Sequence, residues 1–235
     1  MHNVTARTYF YLDEAQCEKN METFLKSIDT TARVTGSTGF VAIKLTALGR
    51  PQLLLQLSEV IARTRAFFTQ VTGVDKMAFG RITPKDFQEK LESRFHIKTD
   101  NHDIKRWFER MDYDQKGLIN LFSWNGLIDT QELISDMFQV PNLVTGKMNP
   151  IISALTTEEE EMFRNMMRRI HTISRHAKEK NVRVLIDAEQ TYFQPANNRI
   201  TLELMRKYNT EKAIIFNTYQ CYLKVNFLSF IEPII

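Results

Sequence analysis

Residues 39–49, GFVAIKLTALG, decide the fold. Between two glycines, Phe40, Val41, Ile43 and Leu45 form a short apolar run rich in strand-forming residues, which predicts a buried strand. Lys44 is the odd residue, because a lone charge in an apolar strand is costly unless something uses it. Two similar runs follow far downstream. NVRVLIDAEQ (181–190) is β-branched up to Asp187, and KAIIFNTYQCYLK (212–224) is apolar before turning polar and aromatic at Asn217 to Gln220.

Helical patterns surround these runs. Residues 13–35 place Met21, Phe24, Leu25 and Ile28 at helical spacing, and 51–71 return to helix. Thr157 and Glu160 have the spacing of a capping box, opening a helix to about Lys180 with Met162, Phe163, Met166 and Met167 as core. A further helix is expected near 199–208. Strand, helix, strand, helix, strand is the order of right-handed βαβ units and a parallel sheet. The near-continuous apolarity of the strands fits burial on both faces, by helices on one and a filled barrel on the other.

Residues 72–130 follow another pattern, helix, glycine-centred loop and helix, twice. In the first loop Asp75 stands at position 1, Gly80 at 6, Ile82 at 8 and Asp86 at 12. In the second Asp112 is at 1, Asp114 at 3, Gly117 at 6, Ile119 at 8 and Ser123 at 12. That is the frame of a paired 12-residue calcium loop. Met77 and Phe79 at positions 3 and 5 of the first loop cannot ligate, and in the second Lys116 holds position 5 and Ser123 replaces the usual glutamate. A scaffold without metal is therefore expected, with Ile82 and Ile119 facing each other. The organisation expected is an N-terminal helix and first strand (1–50), a helical EF-hand-like insertion (51–140), a continuation with the second and third strands (141–225) and a divergent tail (226–235).

Composition limits the functional classes. In 235 residues, 43% hydrophobic and 25% charged content are ordinary for a globular protein, and a formal charge of +3 points to no nucleic-acid partner. No apolar run approaches the roughly 20 residues of a spanning helix, so no transmembrane segment is expected. The opening MHNVTARTYFYLDEAQ has neither signal-peptide nor transit-peptide character. Cys17 and Cys221, in neither redox nor zinc spacing, fit a reducing compartment. His171 and His176 are read as solvated, and Glu158 to Glu161 as a helix N-terminus favoured by the macrodipole.

Each of the three strand ends presents a polar residue: Lys44, Asp187 and Gln220. Lysine offers a compact cation for a carboxylate, aspartate can orient that cation, and glutamine offers a donor and an acceptor to a planar heterocycle. The competing reading is that each merely ends its strand. GFVAIKLTALGRP (39–51), VLIDAEQTYFQPA (184–196) and FNTYQCYLK (216–224), in that order, resemble three signature stretches of the proline dehydrogenase family. The resemblance implies an α/β fold, a partial (β/α)8 TIM-type barrel containing its first three strands. It implies a mitochondrial, FAD-dependent enzyme that oxidises L-proline to Δ1-pyrroline-5-carboxylate and passes electrons to a quinone. By the same resemblance Lys44 would bind the proline carboxylate and Asp187 would be the active-site carboxylate. Ala188 and Gln220 would contact FAD. The arginine-bearing elements of the family pattern do not follow Lys224, from which a truncated and inactive form is expected. A non-catalytic interaction module built on the EF-hand-like pair is the alternative.

Overall fold

The computed structural model describes residues 13–72, 81–95, 139–141, 148–150 and 156–222, with residues 105, 109, 112 and 116–118 in between. The chain forms two compact units, one from residues 1–58 and 157–226, the other from 59–156 and 227–235. The first begins with helix α1 (Glu14–Thr35). Asp13 caps it by accepting a hydrogen bond from the Gln16 N–H at 2.7 Å. Gly36, in the left-handed region at φ 57°, ends it. Cys17, Phe24 and Ile28 form the buried stripe of α1, whereas Met21 and Leu25 are only partly covered.

Strand β1 (Phe40–Ile43) follows, but it stops one residue short of Lys44. Leu45–Ala47 is a single 3-10 turn, so the expected strand does not run to Gly49. Leu45 and Leu48 are nonetheless fully buried, which is why the run reads as apolar throughout. Gly49 is a close approach: a Cβ there would lie 2.6 Å from Met166. Helix α2 (Pro51–Thr72) starts here and buries Leu53, Leu54 and Leu57.

Helix α4 (Thr157–Lys180), strand β4 (Arg183–Ile186), helix α5 (Gln194–Tyr208) and strand β5 (Ile215–Asn217) follow among the described residues of this unit. On α4 the buried positions Phe163, Met166, Met167, Ile170, Ile173 and Ala177 keep the helical period, while Met162 is only partly covered. α5 begins earlier than its apolar pattern suggests, because Pro195 sits in its first turn and the Ser58 hydroxyl accepts the Ala196 N–H at 3.1 Å.

The three strands form one parallel sheet in the order β1-β4-β5, as the βαβ pattern predicts, with Ile43 beside Ile186 and Ile186 beside Asn217. Val41, Ile43, Val184, Ile186 and Ile215 point to the face covered by α1, α4 and α5, and all are buried. Burying each such side chain contributes roughly 1.5–3 kcal/mol. The other face differs from expectation, since burial alternates along β1 and Phe40 is 52% exposed. There the Phe40 and Phe216 rings meet edge to face at 6.1 Å, and the Arg183 guanidinium lies 5.0 Å from the Phe40 ring centre.

Both histidines read as solvated have partners. His176 Nε2 lies 2.8 Å from an Asp29 carboxylate oxygen. His171 Nδ1 lies 3.0 Å from the Tyr208 hydroxyl; burial, helped by the Lys207 and Arg175 cations, pushes its pKa down to about 4. The unfolded chain binds a proton near pH 6.5 that the folded one refuses, so stability falls as pH drops from 6.5 toward 4 and is unaffected above 6.5. This one group is expected to remove about 2 kcal/mol by pH 5. Urea midpoints between pH 7.5 and 4.5 should therefore flatten in His171→Gln; an unchanged slope would assign the acid loss elsewhere.

In the second unit α2 continues beyond Ser58. The buried Ile82 forms a lone β-bridge residue, and helix α3 (Pro84–Phe95) buries Phe87. β2 (Gln139–Pro141) pairs antiparallel with β3 (Met148–Pro150), a hairpin that the strand-and-helix reading does not anticipate. Asp112 folds back on its own loop, its carboxylate accepting the N–H groups of Lys116 at 2.9 Å and Gly117 at 2.7 Å. Gly117, at φ 68°, occupies the left-handed conformation that glycine takes without penalty. Asp75 and the rest of 73–80, Asp114, Ile119 and Ser123 lie outside the described residues, as does the tail 226–235.

Candidate functional site

The parallel register brings the strand ends together. Ile43 pairs with Ile186, so the next residues, Lys44 and Asp187, leave adjacent strands side by side. The Asp187 N–H donates to the Ile43 carbonyl at 2.9 Å, which carries the ladder one residue past β4. Lys44 Nζ lies 3.0 Å from Asp187 Oδ2, and the two side chains are 32% and 39% exposed. Water therefore reaches this ion pair, and its value lies in aiming the lysine more than in stability. The sequence marks both residues, and the structure joins them.

Gln220 stands three residues beyond β5, and its side-chain amide donates to the Glu189 carbonyl at 2.8 Å. Ala188 lies between Asp187 and Glu189, partly exposed and carrying only a methyl group. Beside them the Thr218 hydroxyl donates to the Ile186 carbonyl at 2.6 Å, and the Asn217 amide donates to Asn198 Oδ1 at 2.9 Å. Gln194 donates to the same Asn198 oxygen at 2.7 Å. The loops after β1, β4 and β5 thus form one polar ledge at the C-terminal edge of the sheet. In parallel α/β folds this is the edge at which ligands bind.

Two members of the ledge escape sequence reasoning. The Glu189 carboxylate accepts the Thr46 hydroxyl at 2.6 Å and the Thr46 N–H at 3.4 Å. Each lies two residues beyond the strand-end residue of its loop, inside one of the quoted motifs, and nothing in the sequence pairs the two. Thr46 and Glu189 stand 143 positions apart, so their meeting depends on strand pairing.

A partly exposed ammonium, a neighbouring carboxylate and an adjacent amide can hold a small zwitterion beside a planar ring. The donor set suits a flavin, since Gln220 supplies an amide and Ala188 lets a ring approach the backbone.

Comparison with known proteins gives the chain a family. The family model described as proline dehydrogenase matches residues 8–230. Mitochondrial proline dehydrogenase 1 of Drosophila melanogaster is 50% identical over 95% of this chain and 34% of its own length. The Caenorhabditis elegans protein of that name is 48% identical over 94% of the chain and 36% of its own length. For the human protein the figures are 45%, 94% and 37%. The chain spans about a third of the length of these relatives. No solved structure matches it significantly. Three strand-end motifs, their convergence on one ledge and a family match along nearly the whole sequence lead to one statement: this chain belongs to the proline dehydrogenase family.

Proposed function

We propose that these residues form part of a flavoenzyme that oxidises L-proline to Δ1-pyrroline-5-carboxylate in proline catabolism. The observation that carries the reading is the Lys44–Asp187 pair, 3.0 Å apart at the C-terminal ends of adjacent parallel strands, with Ala188 and Gln220 in the same ledge. Lys44 supplies the charge that binds the proline carboxylate, and Asp187 holds the ammonium in place. Ala188 and Gln220 hold FAD, which takes the two electrons lost by the proline ring. Water is excluded and the reacting atoms are aligned only when the rest of a barrel covers the exposed sheet face around Phe40. The three strands are then the first three of a (β/α)8 barrel. A mitochondrial setting is supported by the names of the relatives, and a membrane quinone as electron acceptor by the family resemblance. Among the described residues no helix is long and apolar enough to cross a membrane. With a complete barrel around these strands, the purified protein should be yellow and reduce an artificial acceptor dye when L-proline is added. A colourless protein inert toward proline after FAD is supplied would refute the reading.

We further propose that residues 72–130 form a paired helix-loop-helix insertion that serves as scaffold. Support comes from Gly117 in the left-handed conformation at loop position 6, the Asp112 carboxylate bound to its own loop, and Ile82 buried at a bridge before α3. Calcium should bind at millimolar affinity or weaker. Micromolar binding in a calorimetric titration would make the second loop a true metal site.

A further inference from the structure

The Lys44–Asp187 pair is backed by a second pair joining the same two loops. Thr46 belongs to the 3-10 turn that begins directly after Lys44, and the Ala47 N–H closes that turn on the Lys44 carbonyl at 3.1 Å. The turn is held from two sides. Asn20 of α1 donates to the Ala47 carbonyl at 2.9 Å, and the Glu189 carboxylate takes the Thr46 hydroxyl at 2.6 Å and its N–H at 3.4 Å. Thr46 is 7% exposed, so these donors have little access to water as a substitute partner. The Glu189 carbonyl meanwhile accepts the Gln220 amide at 2.8 Å. One residue therefore touches the loops after all three strands, through two chemically separate groups. A carboxylate is suited to the Thr46 side because its two oxygens can take an O–H and an N–H together. A glutamine would turn an NH₂ donor toward one of those donors.

We propose that Glu189 is a positioning residue for Lys44: its carboxylate fixes the 3-10 turn that sets where the lysine leaves the sheet, and with it the grip on the substrate carboxylate. This rests on the reading of Lys44 given above. The Glu189 side chain governs substrate binding, while its backbone carbonyl, untouched by substitution, continues to hold Gln220 on the flavin side. Loss of the carboxylate therefore weakens proline binding without emptying the flavin site.

Flavin-loaded protein with a complete barrel, carrying Glu189→Ala, Thr46→Val, both, or Thr46→Ser, separates the possibilities. Glu189→Ala and Thr46→Val should each raise the proline KM about tenfold, the scale of one hydrogen bond to a charged acceptor, with a smaller change in kcat and an unchanged ratio of flavin to protein absorbance. The double variant should be no worse than the poorer single one, because both remove the same contact. Thr46→Ser, which keeps the hydroxyl, should stay within about twofold of the parent. Amide exchange over residues 44–48 should quicken in Glu189→Ala and in Thr46→Val, while that of α4 stays as in the parent. Additive effects in the double variant, or faster exchange with the KM unmoved, would overturn the positioning role. Unchanged exchange in both single variants would overturn the clamp itself. A parent protein with no proline turnover would refute the proposed function, a result distinct from any failure of Glu189.

Discussion

Arg169→Ala is expected to lower the stability of the protein by about 3 kcal/mol, the largest loss from any single substitution considered. Arg169 lies on the buried stripe of α4 with a side chain 1% exposed. Its guanidinium meets four acceptors at once: the Glu18 carboxylate at 2.7 Å, the Leu48 carbonyl at 2.9 Å, the Glu14 carboxylate at 2.5 Å and the Glu14 carbonyl at 3.5 Å. Arg168 reinforces the cluster by pairing with Glu18 from the exposed side. Burial raises the Glu18 carboxyl, but hydrogen bonds and charge from Arg169 and Arg168 outweigh it and hold the group below the usual carboxylate range. Alanine would leave the Leu48 carbonyl without this donor, remove the Arg169 charge from beside Glu14 and Glu18 and open a void beneath α1. The figure sits at the low end for a broken buried pair because Glu14 and Glu18 are 31% and 36% exposed, so water can rehydrate them. Arg169→Lys should recover little, since a single ammonium cannot reach acceptors spread around the guanidinium fork. Arg169→Met should cost less than alanine because the volume is kept. Urea unfolding of the three variants checks the order; a loss below about 1 kcal/mol for alanine would show that the cluster is only decorative.

Lys44→Ala in a complete barrel should carry the largest functional effect. An ammonium hydrogen-bonded to a carboxylate is worth about 1.5–3 kcal/mol, which predicts a rise of roughly 10- to 150-fold in the KM for proline. Flavin content should be nearly unchanged, because Ala188 and Gln220 are assigned to the cofactor. Steady-state kinetics and the ratio of flavin to protein absorbance measure the two quantities separately. Loss of flavin with an unaltered KM would reverse the division of labour between Lys44 and the β4–β5 side of the ledge.

The parts of this fold that sequence makes legible are those fixed by local pattern. The three apolar runs are strands in the expected parallel sheet, and Lys44 and Asp187, each just past an apolar run, meet at 3.0 Å. What was hidden depends on contacts between distant segments. Leu45 and Leu48 look like a continuing strand because a buried 3-10 turn needs the same apolar residues. Nothing local in the sequence marks Arg169, because Glu14 and Glu18 of α1 come to lie across from it only in the fold. His171 looks solvated until α5 brings Tyr208 to its ring. The Glu189–Thr46 contact is invisible for the same reason, although both residues sit in recognisable motifs. The start of α5 was readable in principle, as Pro195 is a first-turn signal that the apolar periodicity of 199–208 obscures.

The ledge at Lys44, Asp187, Ala188 and Gln220 is proposed to bind proline against a flavin. Anaerobic titration of the flavin-loaded protein, its barrel complete, with L-proline, followed by the visible absorbance of the flavin, tests it most directly. Bleaching of the parent at saturable proline concentrations, shifted roughly 10- to 150-fold higher in Lys44→Ala at equal flavin content, is the predicted result. A flavin that proline never bleaches, or one bleached at the same concentrations with and without Lys44, would contradict it.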